Sequence, residues 1–246
     1  MTLDGTNSWV LRAPGARGSI VIDPGPSDPA HLERLAAGGV ELVLITHRHR
    51  DHTEAVDAFA GLSGAPVRAI DPVWCRDGAP LADGERIRAG GVELEVLATP
   101  GHTSDSACFA LVPVTTDGAA AASAAAVAVF TGDTVLGRGT TIIAHPDGAL
   151  GPYLESLERL RAIGAPGGIA VLPGHGPALP DLAAICDAYL AHRSERLDQI
   201  RNALTRLGAD ATTEAVTDDV YADVHGSVRF AAEASVRAQL EYLRGA

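Results

Sequence analysis

Apolar residues in this chain come in short bursts, and the bursts change character near residue 178. Before that point they are brief, rich in Val, Ile and Leu, and closed off by Gly, Pro or charge, which is the pattern of short buried strands. Residues 9–11, 19–22, 40–45, 66–70, 92–97, 108–112, 127–130 and 169–172 read as strands on this basis. Helical spacing is interleaved with them, near 29–37, after Thr53, and in a stretch with Pro152 in its first turn and Leu154, Leu157, Leu160 and Ile163 on one face. Residues 116–126 are Ala-rich and of low complexity, and are expected to form a loose hairpin tip. After residue 178 the pattern is helical only, over 181–207 and 227–243. The alternation predicts an α/β domain over 1–180, followed by a helical region over 181–246.

The strand at 40–45 runs straight into Thr46-His47-Arg48-His49-Arg50-Asp51-His52. A turn at the end of a buried strand presents side chains to a cleft from a rigid scaffold. His47 and His49 are two apart, so in extended chain they point the same way and can share one ion. Asp51 and His52 follow where the chain must turn, and can face a second ion. Imidazole with carboxylate suits zinc or another first-row metal. Three later motifs also follow apolar strands: Pro100-Gly101-His102, Gly132-Asp133 and Gly174-His175. Each alone is an ordinary turn. Together the four supply seven ligands, enough for two ions that share one carboxylate. The remaining histidines, His31, His145, His192 and His225, fit no motif and are expected on the surface or in the core, with His145 the one candidate for the pocket.

This set, in the order H-x-H-x-D-H, G-H, G-D, G-H, resembles the metallo-β-lactamase superfamily over residues 5–180. The resemblance implies a four-layer αββα sandwich. It also implies that His47, His49 and His102 bind one metal, that Asp51, His52 and His175 bind a second, and that Asp133 bridges them. Asp23, in Ile22-Asp23-Pro24-Gly25, matches the position that orients a ligand histidine. The implied cofactors are two zinc ions, with manganese or iron as alternatives. Asp51 and Asp133 would then position a metal-bridging hydroxide, a nucleophile at neutral pH that needs neither Ser nor Cys.

Charge and composition narrow the class. The chain has 246 residues and a net charge of −12; every basic side chain besides histidine is Arg, which excludes a lysine nucleophile or Schiff base. Such an acidic balance argues against indiscriminate nucleic-acid binding. Cys75, Cys108 and Cys186 fall in no metal or redox spacing and read as reduced thiols. No run reaches the roughly 20 apolar residues of a membrane span, and no secretory signal is recognisable, so a cytoplasmic protein is expected.

Zinc β-lactamases commonly carry a Cys in the second site, and flavodiiron reductases a Glu where this chain has His49; neither activity is expected. Glyoxalase II shares the ligand pattern. The segments 1–9, 131–141 and 191–196 are similar to the beta-lactamase-like protein 2 subgroup, with its small winged-helix-type appendage, matched in the tail by the run from Val220 to His225. Members usually have residues before the Met-Thr-Leu segment, so the chain is expected to begin late. That subgroup implies cleavage of single-stranded RNA, and related fungal enzymes imply hydrolysis of polyketide thioesters on carrier proteins. Arg138, with Thr140 and Thr141, is placed by motif to hold a phosphate or carboxylate of the substrate. Against RNA stands the tail, with seven Arg to nine acidic residues from position 190 on. The tail is expected to pack on the main domain or on a second copy in a homodimer. The reading is a dinuclear metal-dependent hydrolase acting as an endoribonuclease on single-stranded RNA, or else as a thioester or lactone hydrolase. A non-catalytic metal-binding module is the alternative of another class, and the complete ligand set argues against it.

Overall fold

A computed structural model describes residues 5–113, 126–143, 145–222 and 226–245. Strands β1 (Trp9–Leu11), β2 (Ser19–Ile22), β3 (Val40–Leu44) and β4 (Val67–Arg68) form one sheet in that order. The β1–β2 pair is antiparallel and the other two pairs are parallel. A second sheet runs β5 (Arg86–Ala89), β6 (Val92–Ala98), β7 (Ala107–Val112), β8 (Ala128–Gly132), β9 (Ala170–Pro173), antiparallel except for the last, parallel pair. Helices α1 (Pro29–Ala36), α2 (Arg50–Thr53) and α3 (Val56–Ser63) belong to the first half, and α4 (Leu150–Gly164), α5 (Leu182–Leu207), α6 (Thr213–Val220) and α7 (Gly226–Arg244) to the second.

Strand periodicity explains why the sheets stack face to face. In β2 and β3, Ile20, Ile22, Leu42 and Leu44 join Ile87, Leu94, Val96, Phe109 and Phe130 of the second sheet in one buried cluster. Their alternates, Val21, Val43 and Ile45, pack instead with Leu32, Leu35 and Phe59 of α1 and α3. Cys108, Ala110, Val129 and Val171 point the other way from the second sheet, against Tyr153 and Leu157 of α4 and Leu182 and Cys186 of α5. Both faces of both sheets are therefore covered, which gives the expected α–β–β–α layering and accounts for strands that are apolar on both sides. Side-chain caps start the helices: Asp28 accepts from the His31 amide, Asp181 from that of Ala184, and Thr212 from that of Ala215.

The last three helices share a small cluster of their own, in which Ile200 and Ala203 meet Val216, Val236 and Leu240. The first half of α5 packs on the sandwich. Strand β5 and the two-residue length of β4 depart from the strands expected at 66–70 and 92–97. The expected hairpin tip at 116–126 lies almost wholly outside the described residues, as do His225 and the start of the 1–9 segment. All three cysteines are free; Cys108 and Cys186 are buried and Cys75 half-buried. Burial pushes the Cys108 thiol up to about 11, so it is neutral at physiological pH. Among the described residues no helix is long and apolar enough to cross a membrane.

Candidate metal centre

Each expected ligand sits just past the end of a strand, at one edge of the sandwich. His47, His49, Asp51 and His52 follow β3, with the last two on the one-turn helix α2. His102 follows β6, Asp133 follows β8, and His175 follows β9. The two sheets are joined at this edge by the Ala107 amide, which donates to the Thr46 carbonyl at 2.8 Å. Gly132 allows the backbone to come close to Thr46. Its φ is +48°, and a Cβ there would lie 2.7 Å from Thr46 Cβ, so only glycine admits Asp133 at this height.

The ligand atoms converge in two groups. His47 Nε2 and His102 Nε2 each lie 3.0 Å from His49 Nδ1. His52 Nε2 lies 3.4 Å from His175 Nε2, and Asp51 Oδ2 is 3.2 Å from the latter. Asp133 serves both groups. Its Oδ2 is 4.0 Å from His47 Nε2 and 3.8 Å from His102 Nε2, while Oδ2 is 3.3 Å from His175 Nε2 and Oδ1 3.5 Å from His52 Nε2. Two nitrogens on one tetrahedral zinc are about 3.3 Å apart, given Zn–N distances near 2.05 Å. The spacing within both groups is close to that.

The outward nitrogens decide which lone pairs face the centre. Thr46 Oγ1 donates to Asp23 Oδ2 at 2.7 Å, so it must accept from His47 Nδ1, 3.0 Å away. His52 Nδ1 donates to the same Asp23 Oδ2 at 2.8 Å, and Asp23 Oδ1 accepts from the Thr46 amide at 2.8 Å. His102 Nδ1 donates to the Ile142 carbonyl at 2.8 Å, with Thr141 Oγ1 at 3.0 Å. His175 Nδ1 donates to the Gly5 carbonyl at 2.9 Å. With each Nδ1 holding a proton, His47, His52, His102 and His175 all turn Nε2 inward, the nitrogen whose lone pair an ion would take. This is the donor set a borderline divalent ion requires. The Asp133 Oδ1 atom agrees with it, since it is buried and has no hydrogen-bond partner, an orphan that a cation would satisfy.

Electrostatics point the same way. Burial holds the His47 imidazole well below its ordinary value, and the neighbouring histidines push it further down. Burial likewise lowers His102. At the other end burial disfavours the His175 cation, but contacts to Asp133 and Asp51 outweigh it and raise the group to about 10. Burial also works against the Asp133 and Asp51 carboxylates; His175 and His52 prevail and keep both ionised. His175 thus keeps a proton that Asp133 and Asp51 stabilise, and an ion bound there would displace it.

Sequence reasoning missed the atoms that brace this cluster. Thr6 Oγ1 donates to Asp51 Oδ2 at 2.9 Å. Asn7 Nδ2 donates to the carbonyls of Pro173 and Gly176, at 3.0 and 2.8 Å, and Trp9 Nε1 to that of Pro173 at 3.1 Å. The segment 5–9 is a brace for the second group. Arg193, buried on α5, donates to the Thr141 carbonyl and lies over the Tyr153 ring at 5.2 Å, fixing the loop that holds His102. Backbone acceptors carry no residue signature, so only the matched segments 1–9 and 191–196 hinted at these contacts.

A cavity of about 470 Å³ opens onto the ligands. Leu136 and Ile142 wall it on one side and Phe230, Ala231 and Ala234 of α7 on the other, with Thr140 and Thr141 between. Arg50 at its edge is held by Glu54 at 2.6 Å. Arg138 lines a shallow cleft with Gly5, Asn7, Gly176 and Pro177. His145 is not in the cavity either, because its Nδ1 pairs with Glu241 Oε2 of α7 at 2.6 Å. Arg48 is drawn away from the ligands by Asp105 and Asp147, at 3.2 and 3.1 Å.

Comparison with known proteins agrees with this geometry. The family model of the metallo-beta-lactamase superfamily matches residues 1–175. The chain is 29% identical over 98% of its length to the beta-lactamase-like protein 2 homolog of Caenorhabditis elegans, of which it covers 79%. It is 31% identical over 86% of its length to the lactamase-like protein adaB of Aspergillus niger, and spans only 62% of that protein. In three dimensions it superposes, with a TM-score of 0.74 over all of its length, on 95% of a metallo-beta-lactamase family protein from Thermus thermophilus, at 22% identity.

Proposed function

The chain belongs to the metallo-beta-lactamase superfamily, whose homologues are metal-dependent hydrolases, and from that premise we propose that it is a dinuclear hydrolase of apolar acyl esters or thioesters. His47, His49 and His102 would hold one ion and Asp51, His52 and His175 the other, with Asp133 shared. Bound there, two ions supply an activated water and polarise the scissile carbonyl. Zinc is the ion we expect, with manganese or iron as alternatives.

The chain's own residues do the rest. Asp23 and Thr46 fix the rings of His52 and His47. Thr6 and Gly5 hold Asp51 and His175 in place. Leu136, Ile142 and Phe230 exclude water from one end of the substrate. Thr141 Oγ1, 3.0 Å from His102 Nδ1, steadies that ring from behind.

The observation that favours an acyl group over RNA is the lining of the cavity. Apart from the ligands it presents aliphatic and aromatic side chains, two Thr, and one Arg already engaged by a carboxylate. A ribonucleotide strand needs a cationic track for its phosphates, and none lines this cavity among the described residues. Phe230, 82% exposed at the mouth, suits the end of an apolar acyl chain or ring.

The test is to incubate the zinc- or manganese-loaded protein with an S-acyl thioester of an aromatic acid, with S-lactoylglutathione, and with labelled single-stranded RNA. Turnover of the aromatic thioester, abolished by His47→Ala, is the expected result. RNA cleavage abolished by the same substitution, with no thioester turnover, would overturn the choice of substrate.

A further inference from the structure

The two ligand groups are held by different parts of the chain. The outward bonds of the first group end within the sandwich and its loops: buried Thr46 accepts from His47, and the Ile142 carbonyl and Thr141 meet His102. In the second group His52 is oriented in the same way, by buried Asp23. Asp51 and His175 depend instead on two residues near the start of the chain. Thr6 Oγ1 donates at 2.9 Å to Asp51 Oδ2, the oxygen that faces His175 Nε2. The Gly5 carbonyl accepts from His175 Nδ1 at 2.9 Å.

Asn7 fastens the same stretch to the loop that carries His175. Its backbone amide donates to the Gly174 carbonyl at 2.7 Å, and its Nδ2 to the carbonyls of Pro173 and Gly176 at 3.0 and 2.8 Å. Both Nδ2 protons are therefore spent on one loop, on either side of the ligand. Thr6 adds an isolated antiparallel bridge to His175 itself. The stretch is anchored at Trp9, where β1 begins. There the indole donates to the Pro173 carbonyl at 3.1 Å and its ring stands edge-on to Phe130, 5.8 Å away.

Apart from the one bridge, residues 5–8 lie outside helices and strands, and they are half-buried. A half-buried stretch held by hydrogen bonds to the site opens at lower cost than the packed sandwich behind it. Lifting it would take partners from Asp51, His175 and the loop 173–176, and would leave the bonds of His47 and His102 in place. The effect is reciprocal. Whatever the docked stretch adds to the affinity of an ion at Asp51, His52 and His175, that ion adds to docking.

We propose that residues 5–9 are a strap that completes the second ion site, with Thr6 and Asn7 as its positioning residues. The second ion is held while the strap is docked and lost when it lifts, and the first site stays assembled throughout. The strap thus sets whether the protein carries one ion or two. This rests on the dinuclear reading above.

The experiment titrates metal-free protein with Zn²⁺ in competition with a chromophoric chelator, and follows backbone hydrogen exchange of residues 5–9 at each equivalent. The wild type is expected to bind two ions, and the strap to become protected with the second equivalent and not with the first. Thr6→Val keeps the shape of the side chain and removes its hydroxyl. It should weaken the second ion at least about tenfold and leave the first unchanged, and Thr6→Ser should restore it. Asn7→Ala should act in the same direction as Thr6→Val.

Two ions bound with wild-type affinity in both Thr6→Val and Asn7→Ala would overturn the strap and leave the dinuclear reading standing. Equal weakening of both ions in Thr6→Val would also overturn it, since the strap would then be a general support of the fold. A wild type that binds one ion only would overturn the dinuclear reading, and the strap with it.

Discussion

Asp23→Asn removes one proton acceptor while changing almost no volume, and it strikes the second ion through His52. Asp23 is 1% exposed and accepts three hydrogen bonds, from the Thr46 amide at 2.8 Å, Thr46 Oγ1 at 2.7 Å and His52 Nδ1 at 2.8 Å. Its φ of +51° is one asparagine tolerates, so the backbone is not the source of the effect. An amide has one oxygen. If that oxygen serves Thr46 Oγ1 and His52, the NH2 opposes the Thr46 amide. If it turns round, the NH2 opposes His52 Nδ1, and the ring must move its proton to Nε2, where the ion would bind. One buried donor is left unsatisfied in the first case, at a cost of about 1–3 kcal/mol. A misdirected imidazole in the second case weakens the ion about 10–100-fold.

Calorimetric titration of metal-free protein with Zn²⁺ should therefore show weakened binding, in the His52 step directly and in the His47 step to the extent that Thr46 Oγ1 loses its acceptor. Scanning calorimetry should show a Tm lower by roughly 2–12 °C, at about 2–4 °C per kcal/mol for a chain of this size. Two unchanged binding steps would refute the claim that Asp23 holds His52 in its tautomer.

Thr141→Val is the contrasting case: His102 Nδ1 keeps the Ile142 carbonyl at 2.8 Å, so affinity for the first ion should fall less than about tenfold in the same titration. Gly132→Ala combines a φ of +48° with a Cβ 2.7 Å from Thr46, and should lower the stability read from a urea midpoint by at least about 2 kcal/mol. Phe230→Ala removes the aromatic at the cavity mouth, and should raise KM for an aromatic thioester about tenfold while an acetyl thioester changes little.

What was legible in the sequence follows from where the physics writes a signature. Strands buried on both faces must be largely apolar, so β2, β7, β8 and β9 stood out as runs, and β3 and β6 as runs interrupted only by Glu. Strand β5 did not, because in Arg86-Ile87-Arg88-Ala89 Ile87 alone is buried, while Arg86 and Arg88 pair across to Glu93. The seven ligands were legible because each is a His or Asp placed immediately after such a run. The braces were not. Gly5 and Ile142 act through carbonyls, and Thr6 reaches Asp51 from 45 residues away. The wall that α7 gives the cavity was equally silent, since Phe230 and Ala231 read as ordinary residues of an amphipathic helix until the fold places them over the centre. Arg138, which its motif put near the metals, lines the cleft with Gly5, Asn7 and Gly176, next to His175.

Anomalous scattering from crystals grown with Zn²⁺ tests the central claim most directly. Two peaks roughly 3.5–4 Å apart, one among His47, His49 and His102, the other among Asp51, His52 and His175, with Asp133 between them, are the predicted result. A single peak, or peaks that leave Asp133 without a metal neighbour, would contradict it.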